Sequence, residues 1–432
     1  MKVLLVNTLD KGGAARACKR LHIELLLKGM QSKVLLRVTS NWPNAFCLNS
    51  MPKKLSIVIR VGNKLKRILK EFKLYVLKQT DKSELILFLD KRLKGLEMFS
   101  FPNSQYDIVQ SDLYKEADII NLHWVANFLD YTSFFKTNKK PVVWTLHDMN
   151  PFSGGEHYEE QYLGIDDEGF PKKRPVTEDE KKVWNKNIEI KKRALQHVDN
   201  LTVVAPSEWL AKEARNSEVF KGFPIFCIPN GVDSEVFKPR DKNYSRDVLG
   251  IPKDKKVVLF IADSISNNRK GYVFLKRALE QISDSQSLLC AVGNKNSELE
   301  SIDNLMELGV IDDERFLSLV YSAADVFVIP SLIDNLPNTI IESLMCGTPV
   351  VGFPVGGICE MIENGENGLL TKEVSVSALV DSLSLFLKSI HQFDREQIRR
   401  EALKKYDVSL QSKKYQALFS SIVDKEIKNN HA

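Results

Sequence analysis

Two acidic residues stand eight positions apart in the stretch PSLIDNLPNTIIESLMCGTPVVGFPVGG, which starts at Pro330. Asp334 follows an apolar run and lies in a loop, whereas Glu342 lies within the helix that the residues NTIIESLMCG predict. Asn338 and Thr339 fall in the first turn of that helix, where free backbone N–H groups and polar side chains can hold a phosphate. A buried carboxylate further along accepts hydrogen bonds from vicinal hydroxyls, such as those of a ribose. This spacing predicts a site for a nucleotide-sugar.

A cationic pair precedes another predicted helix in the second half of the chain. Arg269, Lys270 and Gly271 follow the apolar run VVLFIAD and a polar loop, and the helix YVFLKRALEQI begins directly after them. Fixed positive charge and the unpaired amides of a helix N-terminus together neutralise a diphosphate. A solvated basic turn is the favoured interpretation when the loop is considered alone, so the diphosphate prediction rests on the motifs around it.

Glycines and histidines stand at the ends of predicted strands in the first half. Gly12 and Gly13 separate the first strand from the first helix, where they fit either a tight turn or a close approach to a phosphate. The sequence GGAAR is not the GxGxxG motif of dinucleotide-binding folds. His147 and Asp148 end the run PVVWTLHD, and His123 ends NLHWV. We expect His147 to face a ligand cleft, and a structural role is favoured for His123.

The elements that must position these side chains repeat one pattern, in which short apolar runs alternate with amphipathic helices. The runs KVLLVNT, ADIINLHWV, PVVWTLHD and LTVVAPS predict buried strands in the first half, and KKVVLFIAD, SLLCAVG, ADVFVIPS and TPVVGF predict them in the second. The turn-rich stretch CIPNGVDSEVFKPRD separates the two sets, with a boundary near residue 235. The pattern predicts an α/β protein with two doubly wound sheets and a ligand cleft beyond the carboxyl ends of their strands.

Composition restricts the class of protein further. The 432 residues are 43% hydrophobic and 27% charged, and no apolar run reaches the roughly 20 residues of a membrane-spanning helix. The opening residues lack a secretory signal, so a cytoplasmic location is expected. The six cysteines have no CxxC spacing, which favours reduced thiols over disulfides or a zinc site. A net charge of only +5 argues against a nucleic-acid partner.

Five motifs occur in one order along the chain, namely GGAAR, WTLHDMNPFSGGEHY, VAPSEWL, IPNGVD and the acidic stretch. In this the sequence resembles the retaining glycosyltransferases of family 4, whose signature is an acid, seven residues, a Glu and then A-x-G-x-P-V-V. The resemblance implies the GT-B fold, with two Rossmann-like domains facing across a cleft. It implies an acceptor-side domain at 1–235, a nucleotide-sugar-binding domain at 236–408, and a C-terminal helix at 409–432 that returns to the first domain.

The resemblance also implies a reaction, the transfer of a sugar from a UDP- or GDP-sugar to a hydroxyl with retained configuration and without a metal or cofactor. It implies that Glu342 holds the ribose, that Asp334 contacts sugar hydroxyls, and that Lys270 binds the diphosphate. Gly13 then approaches the diphosphate and His147 faces the transferred sugar. The implied catalytic residues are His147, Lys270 and Asp334; the donor-binding residues are Gly12, Gly13, Arg269, Lys270, Asp334, Asn335, Leu336, Asn338, Thr339 and Glu342; and the acceptor- or sugar-facing residues are Arg16, His123 and Asp148.

The chemical principle is stabilisation of the leaving group, since preorganised cations and amides stabilise the negative charge that builds on the diphosphate. In many relatives the departing phosphate itself is thought to take the acceptor's proton, so we assign no general base to Asp148. Three departures from the family pattern stand out. The first acid is Asp334 instead of Glu, Ser264 replaces an expected Arg, and Glu156 follows PFSGG where close relatives often have cysteines. Arg269 or Arg16 is then the candidate second cation.

Residues 52–82 are crowded with Lys and Arg and interleave them with apolar side chains. This pattern is typical of an amphipathic helix on an anionic membrane surface, and it fits a surface helix packed on the core equally well. A peripheral location at the cytoplasmic face of the membrane suits a lipid-linked saccharide acceptor in O-antigen, capsule or exopolysaccharide synthesis. The alternatives are a nucleotide-sugar epimerase or sugar phosphorylase of the same fold, and a non-catalytic nucleotide-sugar-binding subunit that anchors a partner transferase.

Overall fold

The computed structural model describes residues 1–48, 87–282, 286–294 and 304–431, with side chains described up to residue 428. The strands are β1 (Lys2–Asn7), β2 (Gln31–Leu36), β3 (Ala45–Cys47), β4 (Ile119–Leu122), β5 (Val142–Thr145), β6 (Tyr162–Ile165), β7 (Pro171–Lys173), β8 (Leu201–Ala205), β9 (Ile225–Cys227), β10 (Lys256–Ser264), β11 (Ser287–Asn294), β12 (Leu305–Gly309), β13 (Val326–Ile329), β14 (Val350–Gly352) and β15 (Gly368–Leu370).

The helices are α1 (Gly13–Leu27), α2 (Asp112–Glu116), α3 (Tyr131–Thr137), α4 (Glu178–Leu195), α5 (Glu208–Asn216), α6 (Lys242–Leu249), α7 (Tyr272–Ile282), α8 (Glu314–Ala323), α9 (Asn338–Met345), α10 (Val376–Ser389), α11 (Arg395–Tyr406) and α12 (Val408–His431). Most of them begin at a Ser, Thr or Asp side chain that accepts a hydrogen bond from the first turn. The helix α5, for example, begins after Ser207, whose side chain accepts from the Leu210 N–H.

The first half forms a parallel sheet in the order β3-β2-β1-β4-β5-β8-β9. Its central strands are buried along their whole length, because helices cover both faces of the sheet. The second half forms a parallel sheet in the order β12-β11-β10-β13-β14-β15 around its own core. The predicted architecture of two doubly wound sheets is confirmed.

The helix α12 leaves the second half and packs on the first. Its Tyr415 and Phe419 are fully buried in a core cluster with Val3 and Leu5 of β1. The Tyr415 hydroxyl also lies 2.9 Å from Thr145 Oγ1 at the end of β5. The helix therefore supplies part of the core of the first half, as the fold class implied.

In the described part of the chain, two crossings between the halves lie side by side. Val232 donates its backbone N–H to the Tyr406 carbonyl at 2.9 Å, and Val408 donates to the Val232 carbonyl at 3.1 Å. A Cβ atom added to Gly231 would lie 2.5 Å from the Val408 Cα, so only glycine allows this approach. The crossings thus form one paired connection between the halves.

Several sequence predictions concern features beyond the sheets. The first sheet ends at Cys227 and the second begins at Lys256, which brackets the predicted boundary near residue 235. None of the six cysteines, all of which lie in the described part of the chain, forms a disulfide, and Cys359 is exposed. Across the part of the chain that the structure describes, no helix has both the length and the apolar character needed to cross a membrane. The basic segment 52–82 lies outside the described residues.

Candidate active site

A cleft of about 400 Å³ lies between the halves, at the carboxyl ends of β1, β5, β10 and β13. This is the position at which open parallel sheets bind ligands. The cleft brings together residues that are far apart in the sequence. The predicted site residues that line it are Gly12, Gly13, Arg16, His147, Asp148, Arg269, Lys270, Asp334, Asn335, Leu336, Asn338, Thr339 and Glu342.

His123 is the predicted site residue that the structure places behind the cleft. Its Nδ1 lies 3.0 Å from His147 Nε2, and its Nε2 lies 2.9 Å from Asn121 Oδ1. Both ring nitrogens are therefore engaged within the first half. Burial lowers the pKa of His123 well below its usual value and lowers that of His147 to about 4, so both rings are neutral near pH 7. His123 orients His147, which lines the cleft.

Asp334 is held by groups from both halves. Its Oδ2 lies 2.7 Å from Lys270 Nζ and 3.2 Å from Arg269 Nη1, and its Oδ1 accepts from the Tyr158 hydroxyl at 3.4 Å. Burial alone would raise the pKa of Asp334, but Lys270 and Arg269 outweigh burial and lower the pKa to about 2. Asp334 is ionised at any physiological pH and neutralises the two cations predicted to bind a diphosphate.

Arg269 has a further partner in Glu97, which belongs to the first half. Its Nε donates to Glu97 Oε1 at 2.7 Å, and its guanidinium carbon lies 4.7 Å from the centre of the Tyr158 ring. Ser264 ends β10, and its Oγ lies 3.0 Å from Ser266 Oγ. Of the two candidates for a second cation, Arg269 lies beside Lys270 at Asp334, and Arg16 lines the cleft from the first half.

Two helix N-termini meet in the cleft, and neither has a side-chain cap. The helix α1 begins after Gly12, whose φ of 92° requires glycine, and α9 begins after Pro337. Asn338 Nδ2 donates to the Gly13 carbonyl at 3.0 Å, which joins the two helix starts. The uncapped first-turn N–H groups and the positive ends of two helix dipoles make this region suitable for an anion.

Glu342 lies on α9 and is only 1% exposed at its side chain. Its Oε1 accepts from Arg20 Nη2 at 2.7 Å, and its Oε2 accepts from the Tyr321 hydroxyl at 3.0 Å. Arg20 belongs to α1, so this carboxylate receives one donor from each half of the molecule. A carboxylate has about four acceptor positions, so it can still accept hydrogen bonds from a ligand.

Asp148 presents a carboxylate from the first half. It accepts from the Trp124 indole N–H at 2.8 Å, from His157 Nδ1 at 2.6 Å and from the Asn150 backbone at 2.9 Å. Burial would raise its pKa, but His157 and the other donors outweigh burial and lower the pKa. Trp124 and His157 also line the cleft. The first half therefore offers an ionised acceptor beside an aromatic ring.

Glu156 follows PFSGG, and its side chain is only 2% exposed. It pairs with Arg92 at 2.7 Å and with Arg174 at 2.6 Å, so a buried ion network supports the loop. Among the residues that the structure describes, no group of three His, Cys, Asp or Glu side chains is placed to hold a metal ion.

The sequence analysis missed several residues of this site, among them Arg20, Glu97, Trp124, His157 and Tyr158. Arg20 follows Arg16 by one helical turn, and this spacing places both on one face of α1. His157 and Tyr158 lie within the quoted stretch WTLHDMNPFSGGEHY. Glu97 has no motif around it, and only the folded structure brings it to the cleft.

The geometry agrees with comparisons with known proteins. The family model described as Glycosyltransferase Family 4 matches residues 11–236, and the model Glycosyl transferases group 1 matches residues 255–389. The D-inositol 3-phosphate glycosyltransferase of Mycolicibacterium smegmatis is 32% identical over 172 residues. That match covers 37% of this chain and 39% of the relative, so the chain spans less than two thirds of the relative's length.

Solved structures resemble the whole chain. Sucrose-phosphate synthase from Thermosynechococcus elongatus has a TM-score of 0.67 at 20% identity, covering 98% of this chain and all of that chain. Anabaena HepE in complex with UDP-glucose has a TM-score of 0.65 at 17% identity, covering 98% of this chain and all of that chain. These likenesses show the fold, and the family 4 model covers more than half of the sequence. The chain therefore belongs to glycosyltransferase family 4, and its two facing sheets form the GT-B fold.

Proposed function

We propose that this glycosyltransferase transfers a sugar from a UDP- or GDP-sugar to a hydroxyl of a saccharide acceptor, with the anomeric configuration retained and without a bound metal. The observation that carries the proposal is the arrangement at the cleft. Lys270 and Arg269 stand near two uncapped helix N-termini, and the buried Glu342 lies on one of these helices. This arrangement suits a nucleoside diphosphate, with its ribose at Glu342.

In this mechanism, the main contribution of the protein is to stabilise the diphosphate leaving group. As the bond between the sugar and the phosphate breaks, negative charge builds on the diphosphate. Lys270, Arg269 and the first-turn N–H groups of α1 and α9 stabilise that charge because they are fixed before the reaction. Gly13 adds no side chain, so the diphosphate approaches the backbone closely.

The donor sugar lies between Asp334 and His147 in this proposal. The Asp334 carboxylate accepts hydrogen bonds from sugar hydroxyls and keeps Lys270 in place. His147 is neutral, so it contacts the sugar as a hydrogen-bonding group and does not act as a cation. The departing phosphate takes the proton of the acceptor hydroxyl, and no side chain is assigned as general base.

The acceptor lies on the side of the first half, where Trp124 and Asp148 line the cleft. A partly exposed indole and an ionised carboxylate suit a saccharide, which has both apolar faces and hydroxyl donors. We further propose that the saccharide is lipid-linked, because residues 52–82 have the pattern of a segment that binds anionic membranes. The enzyme would then work at the cytoplasmic face of the membrane in surface polysaccharide synthesis.

A panel of UDP- and GDP-sugars tests the donor, because glycosyltransferases hydrolyse their donors slowly when no acceptor is present. We expect one donor to release its nucleoside diphosphate, with the first sugar product in the donor's anomeric form by NMR and at the same rate in EDTA. The Lys270→Ala variant serves as the background. An inverted first product would contradict retention, and loss of activity in EDTA would contradict metal independence. The absence of binding to any nucleotide would contradict the proposal as a whole.

A further inference from the structure

Arg20 reaches from the first half into the second and contacts two of its acidic side chains. Its Nη2 donates to Glu342 Oε1 at 2.7 Å and to Glu314 Oε1 at 2.7 Å, and its Nε donates to Glu314 Oε1 at 3.1 Å. The Arg20 side chain is 6% exposed, and its guanidinium lies 5.2 Å from the centre of the Phe237 ring. The contact is therefore buried and fixed by several partners.

The two oxygens of Glu342 are held from opposite sides. Arg20 binds Oε1 from α1, and Tyr321 binds Oε2 from α8. Together these donors fix the rotation of the carboxylate plane and leave its remaining acceptor positions for other donors. Glu342 lines the cleft whereas Arg20 lies behind it, so Arg20 acts on a ligand through Glu342.

The charge of Arg20 also compensates the buried Glu342 carboxylate, with Arg20 Nη2 and Glu342 Oε1 2.7 Å apart. A carboxylate that is 1% exposed is costly to ionise unless a cation compensates it. Burial lowers the pKa of Arg20, but Glu342 and Glu314 outweigh burial and raise it, so the guanidinium stays charged. A carboxylate held by Arg20 and Tyr321 presents its remaining positions as hydrogen-bond acceptors. Two ribose hydroxyls, both acting as donors, match such a group.

We infer that Arg20 is a positioning residue, which orients the Glu342 carboxylate from the opposite half so that it binds both hydroxyls of the donor's ribose. The inference rests on the proposed function, because it requires Glu342 to bind the ribose. It adds that ribose recognition is shared between the two halves. The halves must therefore be in contact for the nucleotide to bind tightly.

The test compares the binding of UDP with that of 2′,3′-dideoxy-UDP by calorimetry, or the GDP pair where GDP binds more tightly. The measured quantity is the ratio of the two dissociation constants. We expect a ratio of about tenfold or more in the unmodified protein, because the dideoxy form leaves a buried charged acceptor unpaired. In Arg20→Gln the ratio should fall to within about twofold, because Glu342 loses the charged donor that orients its Oε1.

Control variants distinguish the orientation of Glu342 by Arg20 from a general disturbance of the contact between the halves. Lys19→Gln removes an exposed charge from the same helix and should keep the full ratio. Glu314→Gln removes the other partner of Arg20 and should also keep it. Equal losses in Glu314→Gln and Arg20→Gln would assign the effect to contact between the halves and would overturn the orientation of Glu342. Arg20→Lys keeps the charge without the fork of donors, so its ratio should be intermediate.

Three further results would overturn the inference. A full ratio in folded Arg20→Gln overturns the inference and leaves the proposed function intact. If Arg20→Gln does not fold, a full ratio in Arg20→Lys overturns the inference instead. An unmodified protein that binds UDP and its dideoxy form equally removes Glu342 from ribose binding, which overturns both the inference and that part of the proposed function.

Discussion

Asp334 and Glu342 share one loop and helix, yet they have different partners. Asp334 pairs with Lys270 and Arg269, whereas Glu342 pairs with Arg20 and Tyr321. Glu342→Gln should weaken nucleoside diphosphate binding by about 1.5–3 kcal/mol, the cost of losing a charged hydrogen-bond acceptor. Asp334→Asn should mainly reduce turnover, because it alters contacts at the sugar and leaves Lys270 less well fixed. Calorimetry with the nucleoside diphosphate and transfer assays with the true donor measure the two effects.

The comparison between these two variants is decisive because both remove one charge and keep the shape of the side chain. Asp334→Asn releases two cations from a carboxylate, so nucleotide binding should stay equal or become tighter. Weaker nucleotide binding in Asp334→Asn, equal to that in Glu342→Gln, would show that both acids serve the nucleotide.

Lys270 is predicted to stabilise the leaving group. Lys270→Ala should reduce turnover by about 10²-fold or more, which is the typical effect of removing one charge-stabilising donor. The steady-state rate with the identified donor measures it. Lys388→Ala, which changes an exposed lysine on α10, is the matched control. Turnover close to that of the control would exclude Lys270 from stabilising the leaving group.

Among the elements, the turn formed by Arg269, Lys270 and Gly271 leaves no room for a side chain at its glycine. Gly271 has a φ of +71°, and an added Cβ would lie 1.8 Å from the Pro330 carbonyl oxygen. The Leu332 N–H donates to the Arg269 carbonyl at 2.8 Å, so the turn is joined to the loop that holds Asp334. The position of both cations thus depends on a glycine.

Gly271→Ala should therefore destabilise the fold and misplace both cations. The control is Gly365→Ala, since Gly365 has a similar φ of +83° but no atom within 4 Å of an added Cβ. The left-handed conformation costs about 1–2 kcal/mol in both variants, and the clash adds about 1–3 kcal/mol in Gly271→Ala alone. Urea unfolding measures the difference. Equal destabilisation in the two variants would mean that the turn moves away from Pro330 without cost.

The sequence predicts elements well where the signal is local. The strands β1, β8 and β13 follow from apolar runs, and the starts of α1 and α9 follow from the residues beside them. Side chains whose partners are distant cannot be predicted this way. Arg20 and Glu314 are 294 positions apart, and Glu97 and Arg269 are 172 positions apart. Only the packing of the halves brings such pairs together.

The sequence of residues 52–82 predicts that the protein binds reversibly to anionic vesicles. The full-length protein should co-sediment with vesicles that contain anionic lipid, and less so as salt screens the charges. Changing Lys64, Lys66, Arg67 and Lys70 to glutamine should abolish most of this binding, because each basic residue near a membrane contributes about 1 kcal/mol.

The matched control changes four exposed lysines elsewhere, namely Lys181, Lys182, Lys253 and Lys388. Net charge falls equally in both variants, so a specific effect of the segment appears as a difference between them. Equal co-sedimentation on neutral and anionic lipid would favour the alternative in which this segment packs on the core.

The return of α12 to the first half affects how the protein folds during synthesis. Domains generally fold as units, with the N-terminal one first as it leaves the ribosome. Here Tyr415 and Phe419 fill the core beside β1, but they are translated after the entire second half. The first half therefore leaves the ribosome early with an incomplete core. The core of the second half receives all its residues before the core of the first half does. The part of the enzyme that is made first is the last to reach its final stability.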